Sequence, residues 1–143
     1  MNNNLSLYLH FPFCKRKCRY CDFLSFPVEE IPVSLDHASG EERGCFRRAC
    51  ADSGSFPNGV QDPNKVIEAY ASALIREIGL TGRCYKDRPV ISVFFGGGTP
   101  SIMTPDQIRQ VMGAIRSSFQ LTEDCEITME CNPGTVHEEK LAD

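Results

Sequence analysis

The hydrophobic pattern of the chain alternates between strand-like and helix-like segments. Residues 5–11 alternate, with leucines and Phe11 on one face and Tyr8 and His10 on the other, which predicts a β-strand. Residues 90–95 are almost all β-branched or aromatic, which predicts a strand buried on both faces, as in parallel sheets. Residues 125–131 predict a third strand. Each strand is followed by a turn or loop.

Two helices are predicted between these strands. Asp62 is placed to cap the first helix, with a proline directly after it and an apolar stripe at near-helical spacing beyond. Gly79 and Gly82 are expected to mark its end. Thr104 begins the second helix with a capping box. The order β-α-β-α-β predicts an α/β fold with a parallel sheet, as in the N-terminal part of a TIM-like (β/α) barrel with about three βα units.

Two further segments bear on the domain organisation. Residues 27–61 are interrupted by prolines and glycines and predict a poorly structured insertion. Thr135 and Glu138 have capping-box spacing and predict a helix that reaches Leu141, just before the last residue. We therefore interpret residues 1–143 as a truncated N-terminal portion of a longer domain, inactive on its own.

The composition narrows the classes of protein that fit. A net charge of −4 over 143 residues gives no basic bias toward nucleic acid. No apolar stretch is long enough to span a membrane, and the N-terminus lacks the basic and apolar regions of a secretory signal. A cytoplasmic location is expected, where eight cysteines are reduced thiols or metal ligands rather than disulfides.

Three cysteines lie on one loop directly after the first strand. Cys14, Cys18 and Cys21 form a C-x3-C-x2-C pattern, and the basic residues between them argue against burial in a core. Three thiolates favour an iron–sulfur cluster with one open position, or zinc with His10 or a remote cysteine as the fourth ligand. Spacing alone leaves both open. The other cysteines have no motif spacing and are interpreted as free thiols: Cys45, Cys50, Cys84, Cys125 and Cys131.

The ends of the second and third strands also carry candidate residues. Three glycines, residues 96–98, follow the second strand, and glycines there allow close approach to a ligand. Neither a P-loop lysine nor a dinucleotide-binding glycine pattern accompanies them. Glu130 lies at the end of the third strand, either as a solvent-exposed strand end or as a ligand group. The three loops are expected to meet at one edge of the sheet.

Four segments in order resemble the radical S-adenosylmethionine (SAM) superfamily, and specifically the oxygen-independent coproporphyrinogen III oxidase family. They are residues 8–14, 20–23, 95–101 and 130–135, with the sequences YLHFPFC, YCDF, FGGGTPS and ECNPGT. Within that family they most resemble the HemW-type heme chaperones. The resemblance covers nearly the whole chain outside the insertion.

The resemblance implies two cofactors at this edge of the sheet. A [4Fe–4S] cluster would be held by Cys14, Cys18 and Cys21, with SAM on its open iron. The residues that would contact SAM are Gly97, Gly98 and Thr99 at its methionyl end, and Tyr8, Tyr20 and Glu130 around the remaining pocket. One electron from the cluster would then cleave SAM to a 5′-deoxyadenosyl radical.

One position separates two branches of the family. The decarboxylating oxidases resemble C-x3-C-x2-C-x-C, and here Phe23 occupies the place of the last cysteine. This favours the heme chaperones, which bind heme and deliver it to client proteins. The resemblance also implies an electron donor such as flavodoxin or ferredoxin, and peripheral membrane association of the full-length protein.

Overall fold

The computed structural model describes residues 3–28, 62–138 and 140. Its main sheet has three parallel strands in the order β1–β4–β5: β1 is Leu5–Phe11, β4 is Pro89–Gly97 and β5 is Gln120–Met129. Two helices connect them, α1 (Pro63–Tyr85) between β1 and β4, and α2 (Pro105–Ser118) between β4 and β5. The predicted α/β alternation and parallel sheet are confirmed.

Shorter elements follow the strands at their C-terminal ends. After β1, the two-residue strands β2 (Phe13–Cys14) and β3 (Phe26–Pro27) pair in parallel. After β4 comes a turn of 3-10 helix, Pro100–Ile102, and after β5 another, Pro133–Thr135. All the loops that carry candidate residues therefore lie at one edge of the main sheet.

The core lies between the helices and one face of the sheet. Leu9, Phe11, Val93 and Phe95 are buried there against apolar side chains of both helices. The predicted alternation of β1 is confirmed, since Tyr8 points to the other face and is 58% exposed. Burial of these side chains is the main stabilisation of this layer.

The prediction that β4 is buried on both faces is wrong for the described part of the chain. Phe94 is 38% exposed on the face away from the helices, where it stacks with Tyr8, and Ile91, at an irregularity in the pairing of β4 with β5, is 39% exposed. A parallel sheet is apolar on both faces because both are normally covered. Within residues 3–28 and 62–138, only the helix layer supplies such a cover, and in a barrel this second face would point inward.

The predicted end of the first helix is also wrong. Asp62 caps it as expected, accepting a hydrogen bond from the Asn64 amide, but the helix runs through Gly79 and Gly82 to Tyr85. A Cβ on Gly82 would lie 2.6 Å from the Cβ and the carbonyl oxygen of Ser118 at the end of α2. Gly82 therefore allows the two helices to pack closely rather than ending α1.

Two other boundaries differ from the sequence pattern. β5 begins at Gln120, five residues before the predicted strand, because its first residues pair with Pro89 and Val90 of β4. Thr104 forms the predicted capping box with Gln107. The predicted cap Thr135 instead lies in the second 3-10 turn, where its hydroxyl donates to the Asn132 carbonyl.

Most of the predicted insertion, together with Cys45 and Cys50, lies outside the described residues. Its first two residues are described: Pro27 belongs to β3, and Val28 is 6% exposed and packs in the core. The described helices include none that is long and apolar enough to cross a membrane.

Candidate functional site

The glycine loop and the cysteine loop are joined directly by backbone hydrogen bonds. The amide of Gly98 donates to the Phe11 carbonyl at 2.6 Å, and the amide of Thr99 donates to the Phe13 carbonyl at 2.7 Å. These bonds continue the pairing of β4 with β1 beyond the end of the sheet. The order of the parallel strands thus brings together two segments that are more than 80 residues apart.

The glycines of this loop are required by the approach of the protein's own backbone. Gly97 has φ +110°, a conformation that residues with a side chain rarely adopt. A Cβ on Gly98 would lie 2.4 Å from the Phe13 carbonyl oxygen, closer than any real contact. The sequence predicted that these glycines let a ligand approach the backbone closely. In the described structure, the group that approaches them is the backbone at the start of the cysteine loop.

Cys14 is held at the end of β2, facing the glycine loop. Its sulfur accepts a hydrogen bond from the Thr99 hydroxyl at 3.4 Å. Phe13, beside it, packs edge-on against Phe11 and Tyr70, with ring centroids 5.3 Å from each. This aromatic cluster fixes the start of the cysteine loop against the core.

The remainder of the cysteine loop is closed by its own polar contacts. The Lys17 ammonium donates to the Phe23 carbonyl at 2.5 Å and to the Ser25 hydroxyl at 3.3 Å. The Cys21 amide donates to the Cys18 carbonyl at 3.1 Å. The loop therefore folds back on itself between its second and third cysteines.

The three predicted metal ligands share this loop but not one centre. Cys14 and Cys21 are half-buried and Cys18 is exposed. Nowhere in residues 3–28 and 62–138 do three histidine, cysteine or acidic side chains lie close enough together to hold a metal ion. Binding one cluster would require the exposed part of the loop to bring its thiols toward Cys14, so the metal assignment stays a prediction.

Glu130 lies beside the glycine loop, as the sequence predicted. Its carboxylate accepts a hydrogen bond from the Gly97 amide at 2.9 Å, and its own amide donates to the Phe95 carbonyl at 2.9 Å. The side chain is otherwise exposed. Glu130 thus connects the ends of β5 and β4.

Tyr8 and His10 form a hydrogen-bonded chain on the sheet face away from the helices. The Tyr8 hydroxyl and His10 Nδ1 are 3.0 Å apart, and His10 Nε2 is 3.0 Å from the Leu24 carbonyl oxygen. A carbonyl only accepts, so Nε2 carries the proton, and in the neutral ring Nδ1 accepts from Tyr8. Tyr8 also stacks on Phe94 at 5.9 Å. Tyr8 is therefore held on this face of the sheet, three residues before the end of β1.

Tyr20, in contrast, lies against Cys18 of its own loop and is 91% exposed. A hydrogen bond to Cys18 and the negative charge of the Cys18 thiolate raise the pKa of Tyr20. Its predicted contact with SAM remains a prediction.

A buried polar network that the sequence did not reveal joins the glycine loop to the turn after β5. The Thr135 hydroxyl donates to the Asn132 carbonyl at 2.8 Å and lies 2.6 Å from the Ser101 hydroxyl, so the Ser101 proton must point to Thr135. Ser101 in turn accepts from the Asn132 amide at 3.1 Å. Lys140 donates to the carbonyls of Ser101 and Thr135 at 2.6 and 3.4 Å. The network fixes the segment that carries Glu130.

Tyr70 is a second residue whose role the pattern concealed. The apolar stripe of α1 predicted a core position, but its hydroxyl also donates to the His10 carbonyl. Burial, with a smaller effect of Glu77, raises the pKa of Tyr70 to about 12. A phenol spaced among apolar helix residues gives no signal of such a contact.

Comparison with protein families identifies the fold that presents these residues. The model of the radical SAM superfamily matches residues 8–143. The chain belongs to this superfamily. The match includes all three loops that carry the candidate residues.

The most similar relatives include heme chaperones and an oxidase. The heme chaperone HemW of Escherichia coli K12 is 30% identical over 97% of this chain, and the bovine radical SAM domain-containing protein 1, mitochondrial, is 34% identical over 96%. An oxygen-independent coproporphyrinogen III oxidase of Paracoccus denitrificans is 27% identical over 96%. The chain spans about a quarter of the length of these relatives, at 28%, 23% and 23%.

A solved structure has the same fold. Coproporphyrinogen III oxidase (HemN) from Escherichia coli, described as a radical SAM enzyme, superposes with a TM-score of 0.65 at 25% identity. The match covers 92% of this chain and 23% of the oxidase. The predicted likeness to the N-terminal part of a radical SAM barrel is confirmed.

Proposed function

We propose that the chain binds a [4Fe–4S] cluster through Cys14, Cys18 and Cys21, and SAM beside it. The observation that carries this proposal is the junction of the loops: the Thr99 hydroxyl lies 3.4 Å from the Cys14 sulfur, and Gly97 donates to Glu130. A cofactor bound to the thiols would therefore lie next to the glycine loop.

The chemistry of the donor set fits an iron–sulfur cluster. Three thiols leave one iron without a protein ligand, which is the position that a small molecule would take. The Thr99 hydroxyl supplies a hydrogen bond to a ligand sulfur, and such bonds tune cluster potentials. Lys15 adds positive charge between the first two thiols and is tied to the Gly134 carbonyl at 3.4 Å.

The glycine loop can offer SAM only part of its backbone. The amides of Gly97, Gly98 and Thr99 all donate within the protein. The loop is therefore left with carbonyl oxygens, which accept from an ammonium group such as the amino group of SAM. The Glu130 carboxylate uses one of its acceptor sites for Gly97 and has others for the same ammonium.

The bound cluster would supply the electron that cleaves the sulfonium carbon–sulfur bond, and the protein would hold the reactants. In that arrangement Tyr8, stacked on Phe94, would lie near the cofactors on the sheet face away from the helices. Its hydroxyl is oriented by His10, so the phenol ring has a fixed position.

At the level of the whole protein, the proposal is a heme chaperone that delivers heme to client proteins, with flavodoxin or ferredoxin as the electron donor. Phe23 stands where the oxidases have a further cysteine, and several relatives bear the name heme chaperone. We place it in the cytoplasm, with the full-length form associating peripherally with membranes.

The second candidate is an oxygen-independent coproporphyrinogen III oxidase, which the name of the superposed structure favours. The full-length protein would be incubated with heme and, separately, with coproporphyrinogen III under reducing anaerobic conditions. A heme chaperone takes up heme stably and leaves the porphyrinogen intact. Decarboxylation without stable heme uptake would contradict the first proposal. A bound zinc ion without iron or sulfide would instead make the chain a zinc-binding module.

A further inference from the structure

Cys18 and Cys21 lie at the two ends of one tight turn. The Cys21 amide donates to the Cys18 carbonyl at 3.1 Å, and Arg19 and Tyr20 are the two central residues of the turn. The Cα atoms at the ends of such a turn are less than about 7 Å apart, and a disulfide needs roughly 4.4–6.8 Å. The turn therefore holds these two cysteines at a separation that a disulfide can span.

The two thiols also share a neighbour. The pKa of Tyr20 is raised first by a hydrogen bond to Cys18 and by the charge of the Cys18 thiolate, and least by the charge of Cys21. Both sulfur atoms therefore lie near the Tyr20 hydroxyl. Cys18 is exposed and Cys21 is half-buried. An outside reagent can thus reach one thiol, and the second lies close to it, which is the arrangement of a redox-sensitive pair.

Cys14 is held separately from these two cysteines. Its sulfur accepts a hydrogen bond from the Thr99 hydroxyl at 3.4 Å, and its backbone pairs with Pro27 of β3. Within residues 3–28 and 62–138, the three thiols do not share one centre. The loop therefore divides its cysteines into one thiol fixed at the glycine loop and two that are close neighbours in a turn.

Lys17 joins the two sides of this turn. Its ammonium donates to the Phe23 carbonyl at 2.5 Å and to the Ser25 hydroxyl at 3.3 Å, which connects the residue before Cys18 to the segment after Cys21. These contacts hold the turn closed, so less chain entropy is lost when its ends are bonded. Residues 15–19 also supply four cationic side chains, and reactive thiols typically lie in such electropositive, accessible surroundings.

We infer that Cys18 and Cys21, here termed the redox pair, form a reversible disulfide on reaction with a small disulfide such as oxidised glutathione. The exposed Cys18 thiolate would attack one sulfur of the reagent, forming a mixed disulfide and releasing one glutathione thiolate. The Cys21 thiolate would then displace the second glutathione. The redox pair loses two electrons, the reagent gains them, and the two thiol protons end on two molecules of reduced glutathione.

This disulfide would make the loading of the site dependent on the thiol redox state. It removes two of the three predicted cluster ligands and leaves only Cys14, so the cluster could not assemble until the disulfide is reduced. This consequence rests on the proposed function, whereas formation of the disulfide does not. Disulfides in reducing compartments are typically transient and redox-sensing, which fits a bond of this kind.

The test begins with the full chain, prepared without iron and equilibrated anaerobically with oxidised and reduced glutathione. Free thiols are then alkylated, and all cysteines are mapped by mass spectrometry. We expect one disulfide, between Cys18 and Cys21, with Cys14 and Cys84 alkylated. Cys21→Ser should instead retain glutathione on Cys18. A disulfide that includes Cys14, or oxidation of the redox pair no more extensive than that of Cys84, would overturn the inference.

Two lysine variants test whether the closed turn favours the disulfide. Lys17→Gln removes the contacts across the turn, whereas Lys15→Gln removes the same charge from the same loop and leaves those contacts in place. Half-oxidation of Lys17→Gln should need a roughly tenfold higher ratio of oxidised glutathione to the square of reduced glutathione, which is about 30 mV for a two-electron couple. Lys15→Gln should stay close to the parent. Equal shifts in the two variants would contradict the role of the turn.

Iron and sulfide uptake is measured on the same samples. The reduced chain should take up both, and the oxidised chain should do so only after dithiothreitol is added. If the reduced chain takes up neither, the proposed function fails, while the cysteine map still decides whether the redox pair exists. Uptake by the oxidised chain as fast as by the reduced chain would overturn the dependence of loading on the disulfide.

Discussion

Replacing Gly98 with alanine tests the junction of the two loops. The added Cβ would lie 2.4 Å from the Phe13 carbonyl oxygen and 3.0 Å from that of Phe11. Both neighbours are backbone, so no side chain can rotate away, and a shift of about 1 Å would be needed to reach ordinary contact. That shift would stretch the two hydrogen bonds of 2.6 and 2.7 Å that join the loops.

The magnitude follows from those two bonds. Each contributes about 0.5–1.5 kcal/mol, and a buried group left without its partner costs more, while losing a glycine stabilises by about 0.4–1 kcal/mol through the unfolded state. We expect Gly98→Ala to lower the free energy of unfolding by about 2 kcal/mol, which is about 1 M in the urea midpoint.

Urea unfolding followed by circular dichroism measures this change. Gly113→Ala is the matched control, because it lies in α2 with nothing within 4 Å of its added Cβ, and alanine favours a helix by up to about 1 kcal/mol. If Gly98→Ala proves as stable as Gly113→Ala, the glycine loop is not held against the cysteine loop as described.

Three further predictions concern the helices, the polar network and a buried phenol, all measured by urea unfolding. Gly82→Ala should destabilise the protein by about 1–3 kcal/mol because the added Cβ would clash with Ser118. Gly79→Ala has open space around the added Cβ and should stabilise the protein slightly. The opposite order would show that Gly82 is not needed for the packing of α1 against α2. Thr135→Val should lower the free energy of unfolding by about 1–3 kcal/mol because the Ser101 hydroxyl and the Asn132 carbonyl would lose their partner. Thr135→Ser keeps the hydroxyl and should keep most of the stability. Equal losses in the two variants would show that the hydrogen bonds of Thr135 do not stabilise the protein. The pKa of Tyr70 is about 12 in the folded protein and about 10 in the unfolded chain, so its contribution to the free energy of unfolding is present below pH 10 and is lost as the pH rises toward 12. Between pH 9 and 11.5, Tyr70→Phe should therefore lose less stability than the parent. Parallel curves of stability against pH would contradict this.

The features that the sequence predicted are those encoded by local patterns. The alternation in β1 and the capping box at Thr104 each determine their own structure, and both are confirmed. The positions of the loops followed from strand order, because parallel strands joined by helices place their C-terminal ends together. That rule correctly predicted that Glu130 lies beside the glycine loop.

The features that the sequence did not predict depend on contacts between distant segments. A glycine near the end of an apolar stripe is typical of a helix end, which is how Gly82 was interpreted. The reason for a glycine inside α1 is its close contact with Ser118 at the end of α2, which the local sequence does not show. Thr135 has capping-box spacing, yet its hydroxyl bonds to Asn132 and Ser101 instead. Local patterns describe what a residue does along its own chain and contain no information about such partners.

The central claim is that three thiols hold a cluster whose open iron binds SAM. Anaerobic reconstitution, iron and sulfide analysis and electron paramagnetic resonance of the reduced protein test it directly, with Cys14→Ser, Cys18→Ser and Cys21→Ser as variants and Cys84→Ser as the control thiol. The account predicts about four irons and four sulfides per chain. It also predicts a resonance that changes when SAM is added, and loss of both in the three loop variants alone. Zinc without sulfide, or a resonance that SAM leaves unchanged, would contradict it.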